Sequence, residues 1–189
     1  HVTMLQRSPT YFRTAANANE LADTLRQLDI PQEWTHEIVR RKVLFDQSAF
    51  TKRAALEPDV VKRELIENVR SHLGENFDVE KHFSPSYRPW QQRLAFIPDA
   101  DLFRAVAAGK ASVVTDDIDC FTAEGIRLKS GVELPADIIV TATGFHLSSP
   151  GELPFTVDGQ LVDFHKTIPY PGTMFSGVPN MSWLFGYLR

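Results

Sequence analysis

Residues 136–145, with the sequence ADIIVTATGF, decide the fold class that this chain is expected to have. An acidic residue, Asp137, precedes a run of strand-forming residues that ends in the small triplet Ala142-Thr143-Gly144. A buried strand that ends in small residues lets a backbone or a ligand approach closely, as in dinucleotide-binding sheets. An ordinary buried strand explains residues 138–140 equally well. Because no G-x-G-x-x-G loop occurs in the 189 residues, the stretch predicts a cofactor-type strand without its phosphate cradle.

Composition and charge exclude several classes of protein. The chain is 43% hydrophobic and 23% charged, which is typical of a folded globular protein. Its net charge of -4 provides no global basic field for nucleic acid or an anionic membrane surface, and no apolar run is long enough to span a bilayer. The single cysteine, Cys120, allows no internal disulfide and fits a reducing compartment. We therefore expect a cytoplasmic protein.

The periodicity of apolar residues predicts a helical block between two regions of strands. Residues 1–6 form an apolar strand, and residues 17–74 contain three helices, with Asn17 or Asn19 as the first cap and Gly74 as the last terminator. Residues 94–115 predict a strand, a helix capped by Asp99 or Asp101, and a second strand. Short strands then form a β-meander that leads into the 137–141 strand, and residues 157–160 predict a hairpin turn.

Two stretches carry arginines in positions suited to anions. Arg7 and Ser8 follow the opening strand, and a cation at the carboxyl end of a strand can bind the 2′-phosphate of NADP, although a solvated loop arginine explains it too. Residues 85–93 combine two prolines, two aromatic residues and Arg93. Such a loop can hold a guanidinium against an anionic intermediate. The alternative is that Trp90 anchors the core and Arg93 pairs with a surface carboxylate.

A further stretch, residues 176–181, has glycine and proline to fix a turn and the amide of Asn180 to bind a ring edge, although an ordinary turn accounts for it as well.

Metal and serine-nucleophile chemistry find no support in the sequence. The six histidines show no ligand spacing with one another or with Cys120, and no serine lies in a G-x-S-x-G turn. We therefore predict no metal site.

Taken in order, these motifs resemble one family. The chain is similar to flavin- and NADPH-dependent monooxygenases of the Baeyer-Villiger type (class B), and within them to the bacterial ethionamide-activating branch. The resemblance covers nearly the whole chain, and several motifs in the same order are more specific than any one of them. The stretches that carry it are residues 1–11, 89–94, 98–103, 134–144 and 177–181.

The resemblance implies a role for each matching residue. Arg7 and Ser8 would contact the 2′-phosphate of NADPH. Arg93 would be the active-site arginine, which stands beside the flavin and stabilises the negatively charged peroxyflavin. Gln92 replaces a lysine that many members use for NADPH, which leaves more of the phosphate binding to Arg7. The remaining residues would lie near the FAD: Asp137, Thr143 and Gly144 in the joint between the two nucleotide domains, and Asn180 in the segment that passes the flavin ring.

The resemblance also implies a divided architecture. We expect an α/β fold that is a partial two-dinucleotide-binding-domain flavoprotein, an internal to C-terminal fragment without the two glycine-rich loops of the family. We therefore expect this chain alone to bind neither FAD nor NADPH tightly. The four parts are an NADP-domain strand and loop (1–16), a helical insert (17–82), a strand-helix-strand unit with the β-meander and the ATG strand (83–145), and an FAD-domain remnant (146–189).

The implied reaction is insertion of one oxygen atom from O2 into a ketone, or oxidation of a sulfur compound, through a flavin peroxide. One alternative is a flavin monooxygenase that oxygenates nitrogen or sulfur. Another is a non-catalytic folded piece that self-associates through exposed apolar surfaces and strand edges. In all of these readings the partners are small molecules or further copies of the chain, with neither nucleic acid nor a membrane span.

Overall fold

The computed structural model describes residues 1–145, 151, 153–170 and 173–183 of the chain. These residues belong to two compact units, His1–Ile139 and Val140–Arg189. Helices and sheets both occur, so the predicted mixed α/β class is confirmed.

Two parallel strand pairs form the centre of the first unit. β1 (Val2–Gln6) pairs with β4 (Ala111–Thr115), and β2 (Phe12–Ala15) pairs with β3 (Ala95–Pro98). Helix α5 (Asp101–Ala107) connects β3 to β4. The predicted strand-helix-strand sequence is therefore present, but its two strands lie in separate pairs because each finds its partner near the start of the chain. The prediction did not include β2.

The start of α5 differs from its prediction. Its cap residue is Ala100, whose φ of +55° is left-handed and whose side chain makes no capping hydrogen bond. The carboxylate of Asp99 instead accepts hydrogen bonds from the backbone N–H of Asn17, at 3.0 Å, and from its side-chain amide, at 2.9 Å. Asp99 therefore joins the loop after β2 to the turn before α5.

The helical block forms as its end signals predict. Asn19 caps the first helix by accepting a hydrogen bond from the backbone of Ala22 at 2.9 Å, and Gly74, with a φ of +80°, ends the third. A short fourth helix follows that the sequence did not reveal. The four helices are α1 (Glu20–Gln27), α2 (Gln32–Leu56), α3 (Pro58–Leu73) and α4 (Val79–Phe83).

Two apolar clusters attach these helices to the strand pairs. In the larger cluster, the rings of Phe12, Phe83 and Phe103 pack edge to face, with centroids 5.4 to 6.0 Å apart. The smaller cluster joins Tyr11 and Leu94 to α2 and α3 through Ala54, Val61 and Leu65. Helix α3 lies in both clusters, since it contributes Ile66 and Val69 to the larger one. It is therefore the helix that fixes the block to the strands.

Three antiparallel strands complete the first unit. Gly125 begins the middle strand with a φ of +155°, and a Cβ there would lie 2.0 Å from the carbonyl oxygen of Leu134. Only glycine fits this close approach of two backbones. The exposed Cys120 lies on the first strand. The strands are β5 (Ile118–Phe121), β6 (Gly125–Leu128) and β7 (Glu133–Pro135), as the predicted meander requires.

The prediction of a buried strand at residues 137–141 is wrong. These residues form no strand, and every residue from 136 to 145 is exposed. Ile138 and Val140 are 83% and 84% exposed, respectively. A β-strand needs neighbouring backbone to satisfy its N–H and C=O groups, and the described residues provide no pairing strand here. Local strand propensity alone does not form one.

The second unit contains short hairpins. β8 (Thr156–Val157) and β9 (Gln160–Leu161) are joined by Asp158 and Gly159, both with positive φ, so the predicted hairpin turn is confirmed. A second hairpin joins β10 (Pro169–Tyr170) to β11 (Met174–Phe175). Between them, a 3₁₀ turn covers Phe164–Lys166. Of the predicted 146–189 part, residues 146–150, 152, 171–172 and 184–189 lie outside the described residues.

Within the described ranges, no helix combines the length and the apolar character needed to cross a bilayer.

Candidate functional site

The carboxyl end of β1 is held in place by a network of polar side chains. The amide of Gln6 donates hydrogen bonds to the hydroxyl of Thr115 on the neighbouring strand, at 2.9 Å, and to the carbonyl oxygen of His82, at 2.7 Å. The His82 ring meets the same hydroxyl at 2.8 Å. Arg7 and Ser8 follow directly and are both exposed. The strand end therefore presents a cation and a hydroxyl to solvent from a fixed position.

Thr10 connects this loop to the stretch that contains Arg93. Its hydroxyl donates to the carbonyl oxygen of Arg93 at 3.1 Å and lies 2.9 Å from the hydroxyl of Tyr87. A threonine hydroxyl has one proton, so the Tyr87 hydroxyl is the donor in the second bond. The buried Tyr11 adds a third link by donating to the backbone carbonyl of Tyr87. Two sequence motifs more than 70 residues apart are thus held together.

The Arg93 loop contains an unusual backbone turn. Trp90 has a φ of +66°, which is rare for a bulky residue, and hydrogen bonds between Arg88 and Gln91 close the turn around it. The alternative of Trp90 as a core anchor is wrong, because the residue is 42% exposed. Its ring meets that of Phe50 edge-on, with centroids 6.4 Å apart. Local strain of this kind concentrates at functional loops.

Arg93 itself is exposed and forms no ion pair with a carboxylate among the described residues. The alternative that Arg93 pairs with a surface carboxylate is therefore not supported by the described residues. Arg7 likewise lacks an ion pair in that part of the chain. Gln92, which directly precedes Arg93, is exposed. The two linked loops therefore present Arg7 and Arg93 without an ion-pair partner in the described part of the chain.

Burial changes the acidity of two side chains beneath these loops. It raises the pKa of Tyr11 to about 12, with smaller contributions from Tyr87 and Asp59. It lowers the pKa of His82, and the adjacent Lys81 adds to this effect. Both groups are therefore held in their neutral forms near neutral pH, where they act as hydrogen-bonding parts of the scaffold.

The residues predicted to lie near FAD are divided between the two units of the chain. Asp137 is exposed near the end of the first unit. Thr143, Gly144 and Asn180 are exposed residues of the second unit. Gly144 and Asn180 have φ values of +92° and +60°, and a Cβ at Gly144 would meet no atom within 4 Å.

Sequence reasoning missed the roles of Thr10, Tyr11 and Gln6. Nothing in their local pattern marks them, because each acts through a partner distant in the chain. The described residues also contain no group of three acidic, histidine or cysteine side chains placed to hold a metal ion.

Comparison with known proteins finds similar sequences among one class of enzyme. The chain is 46% identical over 187 residues to the FAD-containing monooxygenase EthA of Mycobacterium tuberculosis. It is 44% identical to EthA of Mycolicibacterium smegmatis and 41% identical to AlmA of Acinetobacter baylyi, which is named as an FAD-binding monooxygenase. This chain is similar to FAD-containing monooxygenases. The similarity covers 99% to 100% of the chain in each case.

The chain spans 38% of the length of each of these FAD-containing monooxygenases. No protein-family profile matches it, and neither does any solved structure.

Proposed function

We propose that this chain is part of an FAD- and NADPH-dependent monooxygenase that inserts one oxygen atom from O2 into ketones or oxidises sulfur compounds. The observation that carries the proposal is the Thr10 link, which holds the loops of Arg7 and Arg93 together. Neither arginine has an ion-pair partner among the described residues. The relatives support FAD and monooxygenase chemistry through their names.

The first loop has the chemistry of a phosphate site. Arg7 is a permanent, exposed cation, and Ser8 can donate a hydrogen bond to the same anion. Both residues follow a parallel strand, where ligands of α/β sheets commonly bind. We assign them to the 2′-phosphate of NADPH. Gln92 can add a hydrogen bond but no charge.

Arg93 supplies a positive charge that no neighbouring group can remove at ordinary pH. A bound flavin would supply electron transfer and the activation of O2 at this site. Arg93, held through its carbonyl by Thr10, would stabilise negative charge that develops near it. The assignment of Asp137, Thr143, Gly144 and Asn180 to FAD depends on the resemblance alone.

Two other functions are considered, namely oxygenation of nitrogen or sulfur and self-association of the chain. An enzyme that oxygenates nitrogen or sulfur would use the same arginine pair, so its products must be distinguished by assay. Self-association of the chain is favoured by large apolar side chains that are well exposed, such as Trp34 at 61%, Phe45 at 70% and Val140 at 84%. Light scattering across protein concentrations tests it, and a monomer at every concentration argues against it.

A chimeric enzyme tests the proposed reaction. The 187 matched residues of the Mycobacterium tuberculosis relative are replaced by this chain, and the chimera is supplied with NADPH, ¹⁸O2 and either a cyclic ketone or a sulfide. We expect one labelled oxygen atom in the product of at least one substrate. A chimera that binds FAD but forms no labelled product from any of these substrates contradicts the proposal.

Variants of the chimera separate the two arginines. Arg7→Ala is expected to raise the KM for NADPH at least tenfold with a smaller effect on kcat, and Arg93→Ala to lower kcat for oxygen transfer at least tenfold. Arg104→Ala is the matched control, since it removes an exposed arginine of α5 outside both loops. An unchanged KM for NADPH in Arg7→Ala overturns the phosphate assignment.

The chain alone is expected to bind neither cofactor tightly, because it has no glycine-rich phosphate loop. The measurement is the flavin absorbance spectrum of the purified chain after incubation with FAD and removal of unbound flavin. Stoichiometric flavin retained by the protein would contradict this expectation.

A further inference from the structure

A polar cleft lies on the first unit, where β2 meets α2 and α3. Its volume is about 280 Å³, close to the lower end of the ~300 to 1,000 Å³ typical of small-molecule sites. It therefore has room for a small ligand or for one head group. The polar and aromatic side chains that line it are Arg13, Thr14, Phe50, Arg53, Glu64 and Asn68.

Arg13 has an unusual environment in this cleft. Its guanidinium carbon lies 4.5 Å from the centre of the Phe50 ring and 5.9 Å from that of Phe96, and the side chain is half-buried. Among the carboxylates of the described residues, none forms an ion pair with it. The two rings hold the guanidinium by cation–π contact but leave its in-plane N–H groups available.

The other charges of the cleft neutralise one another. Arg53 forms a bidentate ion pair with Glu64, with one N···O distance of 2.9 Å, and approaches Glu57 at 3.5 Å. The pKa of Glu64 is lowered by this hydrogen bonding to Arg53, so its carboxylate stays ionised and committed to that partner. The charge of Arg13 is thus the one left uncompensated among the lining residues of the cleft.

The amide of Asn68 provides a second donor in the same cleft. The hydroxyl of Thr14 donates to the side-chain oxygen of Asn68 at 3.1 Å, which orients the amide and directs its NH₂ group away from Thr14. That NH₂ group donates to no other described residue. A cation and an amide donor together match the paired oxygens of a carboxylate or phosphate.

We propose that this cleft is a binding site for a small carboxylate or phosphate group, held by Arg13 and the amide of Asn68. Phe50 and Leu65 also line the cleft and provide apolar contact for the body of the ligand. None of these residues is among those assigned to NADPH or FAD. The proposed anion site is therefore independent of the proposed function.

Nuclear magnetic resonance of the ¹⁵N-labelled chain tests the site. The chain is titrated separately with sodium benzoate and with inorganic phosphate at constant ionic strength. We expect saturable shifts of the Asn68 side-chain amide and the Thr14 backbone amide with at least one anion. Saturation by benzoate alone identifies a carboxylate site, and saturation by phosphate alone a phosphate site. Non-saturating shifts with both anions overturn the proposal.

Matched variants separate a site from general charge effects. Arg13→Gln is expected to weaken binding at least tenfold, while Arg104→Gln, which removes an exposed charge elsewhere, should leave it unchanged. Equal affinity in the wild type and Arg13→Gln overturns the proposal. If Arg13→Gln does not fold, Asn68→Asp tests the site instead. This variant removes the amide donor and adds a negative charge to the cleft, so we expect anion binding to weaken at least tenfold. Unchanged affinity in that variant overturns the proposal as well.

Discussion

Thr10 contributes more to the arrangement of the candidate site than its size or sequence context suggests. A single hydroxyl joins the loop after β1 to both Tyr87 and the backbone of Arg93. Backbone loops without such links sample many conformations, which costs binding energy when a ligand orders them. The link therefore fixes part of the geometry before any cofactor arrives.

Replacing Thr10 by valine tests this role. The variant keeps the shape of the side chain but removes two hydrogen bonds, so we expect a loss of about 1 to 2 kcal/mol in the free energy of unfolding. Amide hydrogen exchange should also become faster in the Arg93 loop. Urea denaturation and hydrogen exchange measure the two effects.

Thr24→Val is the control for this variant, because the Thr24 hydroxyl is exposed and bonds only within its own helix, to the carbonyl of Glu20. We expect it to change the free energy of unfolding by less than about 0.5 kcal/mol. If Thr10→Val exchanges at the wild-type rate in the Arg93 loop, Thr10 does not hold the two loops together.

Tyr11 makes the stability of the first unit sensitive to alkaline pH. Its pKa is about 12 in the folded chain and near 10.0 when unfolded. Between these values the unfolded chain loses the phenol proton while the folded chain keeps it. The contribution is therefore complete below about pH 10 and declines as the pH rises towards about 12.

Tyr11→Phe is expected to reduce this alkaline decline in the free energy of unfolding, measured by urea denaturation from about pH 8 to about pH 11. The exposed Tyr170, which is 71% accessible, provides the matched variant Tyr170→Phe. Its alkaline decline should equal that of the wild type. The same decline in all three proteins would contradict the assignment to Tyr11.

Helices α2 and α3 are adjacent in the chain but depend on different forces. α3 buries four apolar side chains in 16 residues, whereas α2 buries only Thr35 and Ala54 in 25. Along α2 the exposed ion pairs of Glu37 with Arg40 and Arg41 lower the pKa of Glu37 to about 2. Such pairs add little stability. The packing of α3 therefore supplies most of what holds the helical block.

Two leucine variants in neighbouring helices test this difference. Leu65→Ala removes a side chain of the smaller cluster that is 6% exposed, so we expect a loss of about 2 to 5 kcal/mol in the free energy of unfolding. Leu56→Ala, at a position that is 82% exposed, should cost less than about 0.5 kcal/mol. Comparable losses in urea denaturation would show that α2 is packed as tightly as α3.

Elements with strong local signals were predictable from sequence, and elements that depend on distant partners were not. The bounds of β4, the Asn19 cap and the Gly74 terminator follow from neighbouring residues alone. β2 was missed because Phe12–Ala15 is short and is stabilised by pairing with β3, about 80 residues later. The periodicity of apolar residues predicted the helices of residues 17–74, but the apolar Trp34 and Phe45 of α2 lie exposed. Periodicity identifies a face without identifying what covers it.

The candidate site follows the same rule. The positions of Arg7 and Arg93 in loops were evident from the sequence, and the resemblance supplied their roles. Their connection through Thr10 could not be predicted, since one hydrogen bond across 83 residues leaves no local pattern. The exposure of residues 136–145 was also unpredictable, because strand propensity does not reveal whether a pairing strand is present.

The whole chain divides into its two compact units within that exposed stretch, between Ile139 and Val140. Exposed backbone outside regular structure is the preferred substrate of proteases. We expect limited digestion with a broad-specificity protease to cut within residues 136–145 first and to leave a resistant product that contains β1 to β7. Mass spectrometry identifies the products. Earlier cleavage within α3 or β4 would contradict this order.

The exposed thiol of Cys120 has a practical consequence for all experiments in solution. As the chain's one cysteine, it accepts a single maleimide dye and gives a uniformly tagged protein for fluorescence work. Under oxidising conditions the same thiol can join two copies covalently, which light scattering alone would register as self-association. A Cys120→Ser variant, or a reductant in every buffer, distinguishes oxidation from genuine association.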